Sequence, residues 1–166
     1  DSTTIKKINL NVPSSMGIGA SYRPTDVLTI AFDAVYIRYA QLTDDLVLTI
    51  SEAFATTSDF AVDNGWELHG GAEYVIFLGS MGVVLRAGVY LEPDNRIRWV
   101  GNVNDSNNQT RIFNRQLLEG LFRSGDSYLH TTFGLGFVLS NNFQLDVAGN
   151  LSSVTNEAVG SLVVRF

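Results

Sequence analysis

The stretch GSLVVRF, residues 160–166, alternates apolar side chains with others and carries an aromatic side chain at its last position. Successive side chains of an extended strand point to opposite faces, so Leu162, Val164 and Phe166 share one face. Arg165 lies on the other face. A strand of this kind is typical of the last strand of an outer-membrane β-barrel, with its apolar face toward lipid. An edge strand of a soluble β-sandwich is the alternative.

The same alternation recurs along the chain and predicts about seven strands. Apolar residues occupy alternate positions within 8–22, 28–36, 66–76, 83–91, 129–139, 143–147 and 158–166. The first of these exceeds the five or six residues of a common soluble strand and covers the roughly 9–11 residues that a tilted membrane strand needs. Pro13 cannot donate a hydrogen bond to a neighbouring strand, so we expect a bulge or break there.

The connections between these strands alternate between short and long. Short turns are predicted near residues 23–26, 79–82 and 140–142, whereas long connections are predicted at 43–65, 93–126 and about 152–157. Bacterial outer-membrane barrels have short periplasmic turns and longer extracellular loops. The pattern therefore predicts that the long loops at 43–65 and 93–126 are extracellular.

The predicted fold class is all-β, an antiparallel up-and-down transmembrane β-barrel, with residues 1–166 as a single barrel segment. Closing a sheet into a barrel pairs the free edges of its outer strands. Single-chain bacterial barrels normally have an even number of strands, whereas the sequence predicts about seven. One possibility is an eighth strand hidden in the first long connection, where Leu46–Ile50 is the candidate. We favour the other, in which the chain is part of a larger barrel.

Composition excludes several classes of protein. The chain has 166 residues and is 45% hydrophobic, yet no stretch approaches the roughly 20 apolar residues of a membrane-spanning helix. A net charge of −6 argues against a nucleic-acid partner, which needs clustered Lys and Arg. With no Cys and two His, we expect no disulfide and no metal site. No catalytic constellation or cofactor motif stands out, so we expect no cofactor and no enzymatic activity.

Five segments carry a family resemblance. They are residues 10–24 (LNVPSSMGIGASYRP), 39–46 (YAQLTDDL), 66–74 (WELHGGAEY), 85–90 (LRAGVY) and 125–136 (GDSYLHTTFGLG). In this order they resemble the C-terminal half of the long-chain fatty-acid outer-membrane transporter family (FadL-type). Where that family usually has Trp-Ser, this chain has Tyr39-Ala40, which is a mild departure. The resemblance implies a barrel of about 14 strands with an N-terminal plug, which has no counterpart here.

The resemblance also implies a function. Such proteins carry hydrophobic, fatty-acid-like small molecules passively across the Gram-negative outer membrane and can release them sideways through the barrel wall. The expected partners are membrane lipids, a hydrophobic ligand and the barrel-assembly machinery, which would engage Phe166. The alternatives are a structural anchor or scaffold barrel for another envelope component, a small outer-membrane enzyme, and a soluble lipid-binding barrel.

Charged residues in the strands fall on the face opposite the apolar one. They and the two histidines are Asp33, Glu67, His69, Glu73, Arg86, Glu92, His130 and Asp146. One interpretation is that these side chains pair with each other in a polar lumen. The other is that Arg86, His69 or His130 holds the carboxylate of a ligand, since a guanidinium can bind a carboxylate with two hydrogen bonds.

The loop at 93–126 contains apolar residues at three- and four-residue spacing. They are Ile112, Phe113, Leu117, Leu118, Leu121 and Phe122. This spacing predicts a short amphipathic helix that ends near Ser124-Gly125. Its apolar face either folds onto the barrel rim or forms part of a groove for apolar ligands, with Phe113, Leu117, Leu121 and Phe122 as candidate ligand contacts.

Overall fold

The computed structural model describes residues 11–44, 59–101, 116–139 and 142–165. These residues contain nine strands. They are β1 (Ser15–Thr25), β2 (Leu28–Ile37), β3 (Phe60–Ala61), β4 (Gly65–Leu78), β5 (Met81–Glu92), β6 (Arg98–Trp99), β7 (Tyr128–Val138), β8 (Phe143–Leu151) and β9 (Asn156–Val164). A 3-10 helix spans Tyr39–Leu42, and residues 116–121 are α-helical.

Seven of the strands form one antiparallel meander, in the order β1-β2-β4-β5-β7-β8-β9. The predicted all-β, up-and-down arrangement is confirmed for this sheet. The predicted closure is not: β1 and β9 are the two edges of the sheet, which is not closed into a barrel over the described residues. The Leu46–Ile50 segment, proposed as an extra strand, lies outside the described residues.

Tight turns connect β1 to β2, β4 to β5, β7 to β8 and also β8 to β9, where the long connection predicted at about 152–157 is wrong because strand pairing continues to Leu151 and resumes at Asn156. Gly79 takes a φ of 64° in the two-residue turn between β4 and β5, a left-handed conformation that glycine adopts without a steric penalty. Residues 152–155 join β8 to β9, where the Ser152 N–H donates to the Thr155 carbonyl and the Ser152 hydroxyl accepts from the Thr155 N–H. These local bonds fix the register of the flanking strands.

The first strand differs from its prediction at both ends. It begins at Ser15, with residues 11–14 outside any strand and the predicted positions 8–10 outside the described residues, and its turn falls at residues 26–27, not 23–26. The N–H and hydroxyl of Ser14 both donate to Gln41 Oε1, and its carbonyl accepts from the Arg38 N–H, just beyond the ends of β1 and β2. Pro24 remains inside β1 because this is an edge strand, where a missing N–H leaves no ladder bond unmade.

The sheet exposes its apolar face. Phe32 is 55% exposed, Leu135 37% and Val164 37%, and Leu28 is half-buried. In β7 the positions on the apolar face, Leu129, Thr131, Phe133 and Leu135, are all exposed, whereas the alternating positions 130, 132, 134 and 136 are buried or half-buried. These apolar side chains therefore do not form a central core, as they would in a soluble sandwich.

A second compact unit comprises described residues within 1–15, 37–65 and 94–126; we call it the loop unit. Its two-stranded sheet pairs Phe60 with Trp99 and Ala61 with Arg98. Its core consists of Phe60 and Leu118, packed against Ile97, Trp99 and Phe122. Both short strands lie in connections that the sequence analysis treated only as loops, because two residues give no readable alternation. No helix in the described part of the chain is long and apolar enough to cross a membrane.

Candidate ligand-binding face

The charged residues of the seven-stranded sheet all lie on one side, which we call the polar face. It carries Arg23, Arg86, Asp33, Glu67, Glu73, Glu92, Asp146 and Glu157. Two guanidinium groups and six carboxylates give these strands a formal charge of −4 on this face. The opposite, apolar face has no charged residue in these seven strands.

Arg86 is at the centre of an ion-pair cluster that joins three strands. Its Nε donates to Glu73 Oε2 at 2.8 Å, and its Nη1 donates to Asp146 Oδ1 at 2.8 Å. Gln144 Nε2 donates to the other oxygen of Asp146, also at 2.8 Å. Glu73 stands opposite Arg86 in the β4–β5 register, but Asp146 is on β8, beyond β7.

Glycines in β7 allow this ion pair to cross a strand. Gly134 stands opposite Arg86, and Gly136 stands opposite Asp146. A Cβ atom at Gly136 would lie 2.6 Å from Asp146 Oδ1, closer than side chains tolerate. The absence of a side chain at this position is therefore what lets the arginine and the aspartate meet over β7.

A second polar cluster surrounds His130, which is only 3% exposed. Its Nε2 lies 3.1 Å from Glu92 Oε2, and its Nδ1 lies 3.3 Å from Asn150 Oδ1. The Tyr90 ring stacks on the imidazole, with centroids 4.2 Å apart and planes 7° from parallel. Asn150 Nδ2 donates to the Tyr90 hydroxyl, and His69 contacts Tyr90 edge-on at 5.4 Å. Both histidines thus contact one tyrosine.

A cleft of about 570 Å³ opens on the polar face. Its floor is made of small residues, because Gly71 and Gly88 stand opposite each other in the β4–β5 register. Further lining residues are Ala31, Asp33, His69, Glu73, Arg86, Tyr90, Thr132, Gly134 and Ala148. The backbone is therefore exposed between the Arg86 ion pair on one side and the His69–Tyr90 contact on the other.

The predicted site residues are divided between the two units. Arg86 and His69 line the cleft, whereas His130 lies next to it, stacked on Tyr90. Leu117 and Leu121, in the loop unit, are 49% and 69% exposed. Phe122 packs edge-on against Phe60 in the core of that unit, with centroids 4.8 Å apart. Phe113 lies outside the described residues.

Residues 116–121 of the predicted helix are helical, but the helix ends at Leu121 and not near Ser124-Gly125, and predicted residues 112–115 lie outside the described residues; Phe122 follows the helix directly. Its N–H donates to the Leu118 carbonyl at 2.8 Å, which continues the helical hydrogen-bonding pattern. Leu118 and Phe122 face the core, while Leu117 and Leu121 face away from it. The sequence spacing grouped all four side chains into one apolar face, but the structure buries Leu118, half-buries Phe122 and leaves the other two exposed.

Electrostatic contacts also order the loop unit. Arg98 and Asp63 form an ion pair at 2.8 Å, and the hydrogen bond from Arg98 lowers the pKa of the Asp63 carboxyl. Asp94 accepts hydrogen bonds from the Gly125 N–H at 2.6 Å and the Arg96 N–H at 3.1 Å. Asp94 therefore links two segments that are 31 residues apart in sequence.

Sequence reasoning did not single out Asn150, Gln144 or Tyr90 as parts of these clusters. These residues lie at sequence positions that alternate in step with the charged residues of the same strands, and this alternation was the signal that could have found them. Side-chain reach across β7 could not be read from that alternation. Among the described residues, no group of three or more His, Cys, Asp or Glu side chains is arranged to hold a metal ion.

Comparison with known protein families, with characterised proteins and with solved structures yields no match. The resemblance to FadL-type transporters therefore rests on the five sequence segments alone.

Proposed function

We propose that this chain forms part of an outer-membrane β-barrel that lets hydrophobic small molecules pass across the membrane. The observation that carries the proposal is the distribution of side chains in the seven-stranded sheet, which is the opposite of that in a soluble protein. All charged residues of these strands share one face, and large apolar residues remain exposed on the other. Exposed apolar surface of this extent is a liability in water but is required where a strand faces lipid.

Strand length supports the same proposal. The seven strands contain nine to 14 residues, which matches the roughly 9–11 residues that a tilted strand needs to cross a bilayer. Soluble strands usually contain about five or six residues. Two of the three connections at one end of the strands are long, whereas all three at the other end are short turns. This is the asymmetry of bacterial outer-membrane barrels.

Strand parity supports a barrel larger than this sheet. In an antiparallel meander of seven strands, β1 and β9 run in the same direction. If β1 and β9 paired directly, they would form a parallel pair, whereas an odd number of additional strands closes the barrel with antiparallel pairs throughout. A total of about 14 strands, as the FadL-type resemblance implies, meets this condition with seven more. Closure would also satisfy the exposed hydrogen-bonding groups of both edges, which lipid cannot do.

The location is tested by expressing the full-length protein in a Gram-negative host. The protein should sediment with the outer membrane, resist extraction by alkaline carbonate and migrate differently on gels before and after boiling. Release by carbonate would refute the membrane assignment. Transport is tested by vector-corrected uptake of a labelled hydrophobic compound, and a protein that inserts but gives no uptake would refute the transport function alone.

The loop unit favours a second candidate, an anchor or scaffold barrel for another envelope component. This unit has its own core, and Leu117 and Leu121 are exposed beside it. Exposed leucines on an ordered unit are typical of protein contacts. Substituting both with Ser should abolish partner capture if the unit is a docking site, and should leave capture unchanged if it is not.

A further inference from the structure

We infer that the cleft on the polar face admits uncharged hydrophobic compounds and disfavours carboxylates. The inference rests on the proposed function, because it assumes that the polar face lines the route of the ligand. It narrows the fatty-acid-like substrate class that the sequence resemblance implies. Three features of the cleft lead to it: the arginine in its lining already binds two protein carboxylates, its formal charge is negative, and its floor is backbone.

Among the described residues that line the cleft, Arg86 is the only Lys or Arg. Two of its nitrogens already donate to Glu73 and Asp146, each at 2.8 Å. The remaining N–H groups of Arg86 are on Nη1 and Nη2. A ligand carboxylate that bound them would bring a third negative charge to a guanidinium whose single positive charge two protein carboxylates already neutralise, and one that displaced Glu73 or Asp146 would leave that group without its charge-assisted bond.

The remaining charge of the cleft repels an anion. Asp33, Glu73 and Arg86 line it, and Asp146 is bound to Arg86 from β8. These four groups have a formal charge of −2. Repulsion between a ligand carboxylate and this excess charge acts in a partly enclosed space, where it is screened less than in bulk water. A charge-free ligand does not meet this barrier.

The floor offers space without hydrogen-bond donors. Gly71 and Gly88 belong to adjacent paired strands, so their backbone groups take part in the sheet ladder. Ala31, Ala148 and the Tyr90 ring add apolar lining, beside the polar side chains of Thr29, His69 and Thr132 and the charged groups named above. An apolar body fits this floor, and the Tyr90 and Thr132 hydroxyls can each donate to a single hydroxyl or carbonyl oxygen. The chemistry therefore suits an alcohol, ester or hydrocarbon.

The test compares two probes of equal chain length, radiolabelled dodecan-1-ol and dodecanoate, at pH 7.5. The full-length protein is expressed in a Gram-negative host without its own route for hydrophobic compounds, and vector-only uptake is subtracted. We expect the alcohol to enter about tenfold faster than the carboxylate, which corresponds to about 1.4 kcal/mol of repulsion. Equal uptake, or faster uptake of dodecanoate, would overturn the inference. If neither probe enters faster than in the vector control, the proposed transport function fails and this inference with it.

Charge variants extend the test. Asp33→Asn combined with Glu73→Gln should narrow the alcohol-to-carboxylate ratio by about threefold or more, because both carboxylates line the cleft. Glu157→Gln is the matched control: it removes a carboxylate from the same face on β9, outside the cleft lining, and should leave the ratio unchanged. If the double variant and Glu157→Gln changed the alcohol-to-carboxylate uptake ratio equally, the carboxylates of the cleft would not be what disfavours dodecanoate. Because the unmodified protein gives its own ratio, the test stands even if the double variant fails to assemble.

Discussion

Replacing Ala87 with Arg tests whether the apolar face meets lipid. Ala87 is exposed on the apolar face, the seventh of the 12 residues of β5, between Ala72 and Phe133. A strand tilted by about 40° rises about 2.5 Å per residue along the membrane normal, so Ala87 would lie within about 2 Å of the midplane. An arginine there costs about 2–4 kcal/mol when it faces lipid. The same change on a solvated surface stays within about 0.5 kcal/mol.

Two matched positions separate depth from face. Ala158 is the third of nine residues in β9, about 5 Å from the strand end, and Ala158→Arg on the apolar face should cost about 0–1 kcal/mol. Ser161 is near the middle of the same strand but on the polar face, opposite Asp146. Ser161→Arg should therefore cost no more than about 1 kcal/mol, since the new charge lies toward the polar side and beside a carboxylate.

Free energies of unfolding would be measured on the full-length protein in lipid vesicles, by guanidinium titration with tryptophan fluorescence. Trp66, which is 51% exposed on the apolar face, reports on the lipid environment. A cost for Ala87→Arg that is no larger than the cost for Ser161→Arg would refute the lipid-facing assignment of this sheet.

Three further changes probe the clusters. Arg86→Met should lower the free energy of unfolding by about 2 kcal/mol, a value between those of exposed and buried ion pairs. Adding Asp146→Asn should recover part of this loss, because it removes a carboxylate that has lost its partner. If the second substitution recovered no stability, the ion pair between Arg86 and Asp146 would be contradicted. Gly136→Ala should lower the free energy of unfolding by about 1–3 kcal/mol, because the new methyl group displaces the Asp146 carboxylate. The loss should be smaller when Arg86→Met is already present, and equal losses in the two backgrounds would contradict this explanation. Leu118→Ala should lower the stability of the loop unit by about 2–4 kcal/mol and accelerate proteolysis within it. Leu121→Ala, at an exposed position, should do neither. Similar proteolysis rates for the two variants would contradict a core around Leu118.

Two units of different character follow from the same chain. The sheet is held by ladder hydrogen bonds and by polar contacts such as the Arg86 cluster, which crosses from β4 to β8. The loop unit has a small conventional core, in which Phe60 and Leu118 are buried by aromatic neighbours. A loss of stability in the loop unit should therefore be detected by proteolysis, whereas a loss of stability in the sheet should be detected by unfolding in lipid vesicles.

The sequence by itself determined the strands and their faces. Alternation with a period of two residues specifies both a strand and its two sides, and a register shift by one residue would reverse every side chain. The ranges 28–36 and 66–76 predicted from alternation therefore lie within β2 and β4. The turns at Gly79 and after Val138 were also readable, because glycine and short polar stretches mark turns locally.

Only the tertiary structure decided which side chains meet. The contact between Arg86 and Asp146 depends on the position of β8 beyond β7 and on the absence of a Cβ atom at Gly136, neither of which periodicity contains. The convergence of His69 and His130 on Tyr90 likewise needs three strands in register. Local sequence fixes the direction of each side chain, because that depends on the strand's own backbone. Partners are fixed by cross-strand geometry, which arises only when distant segments pair.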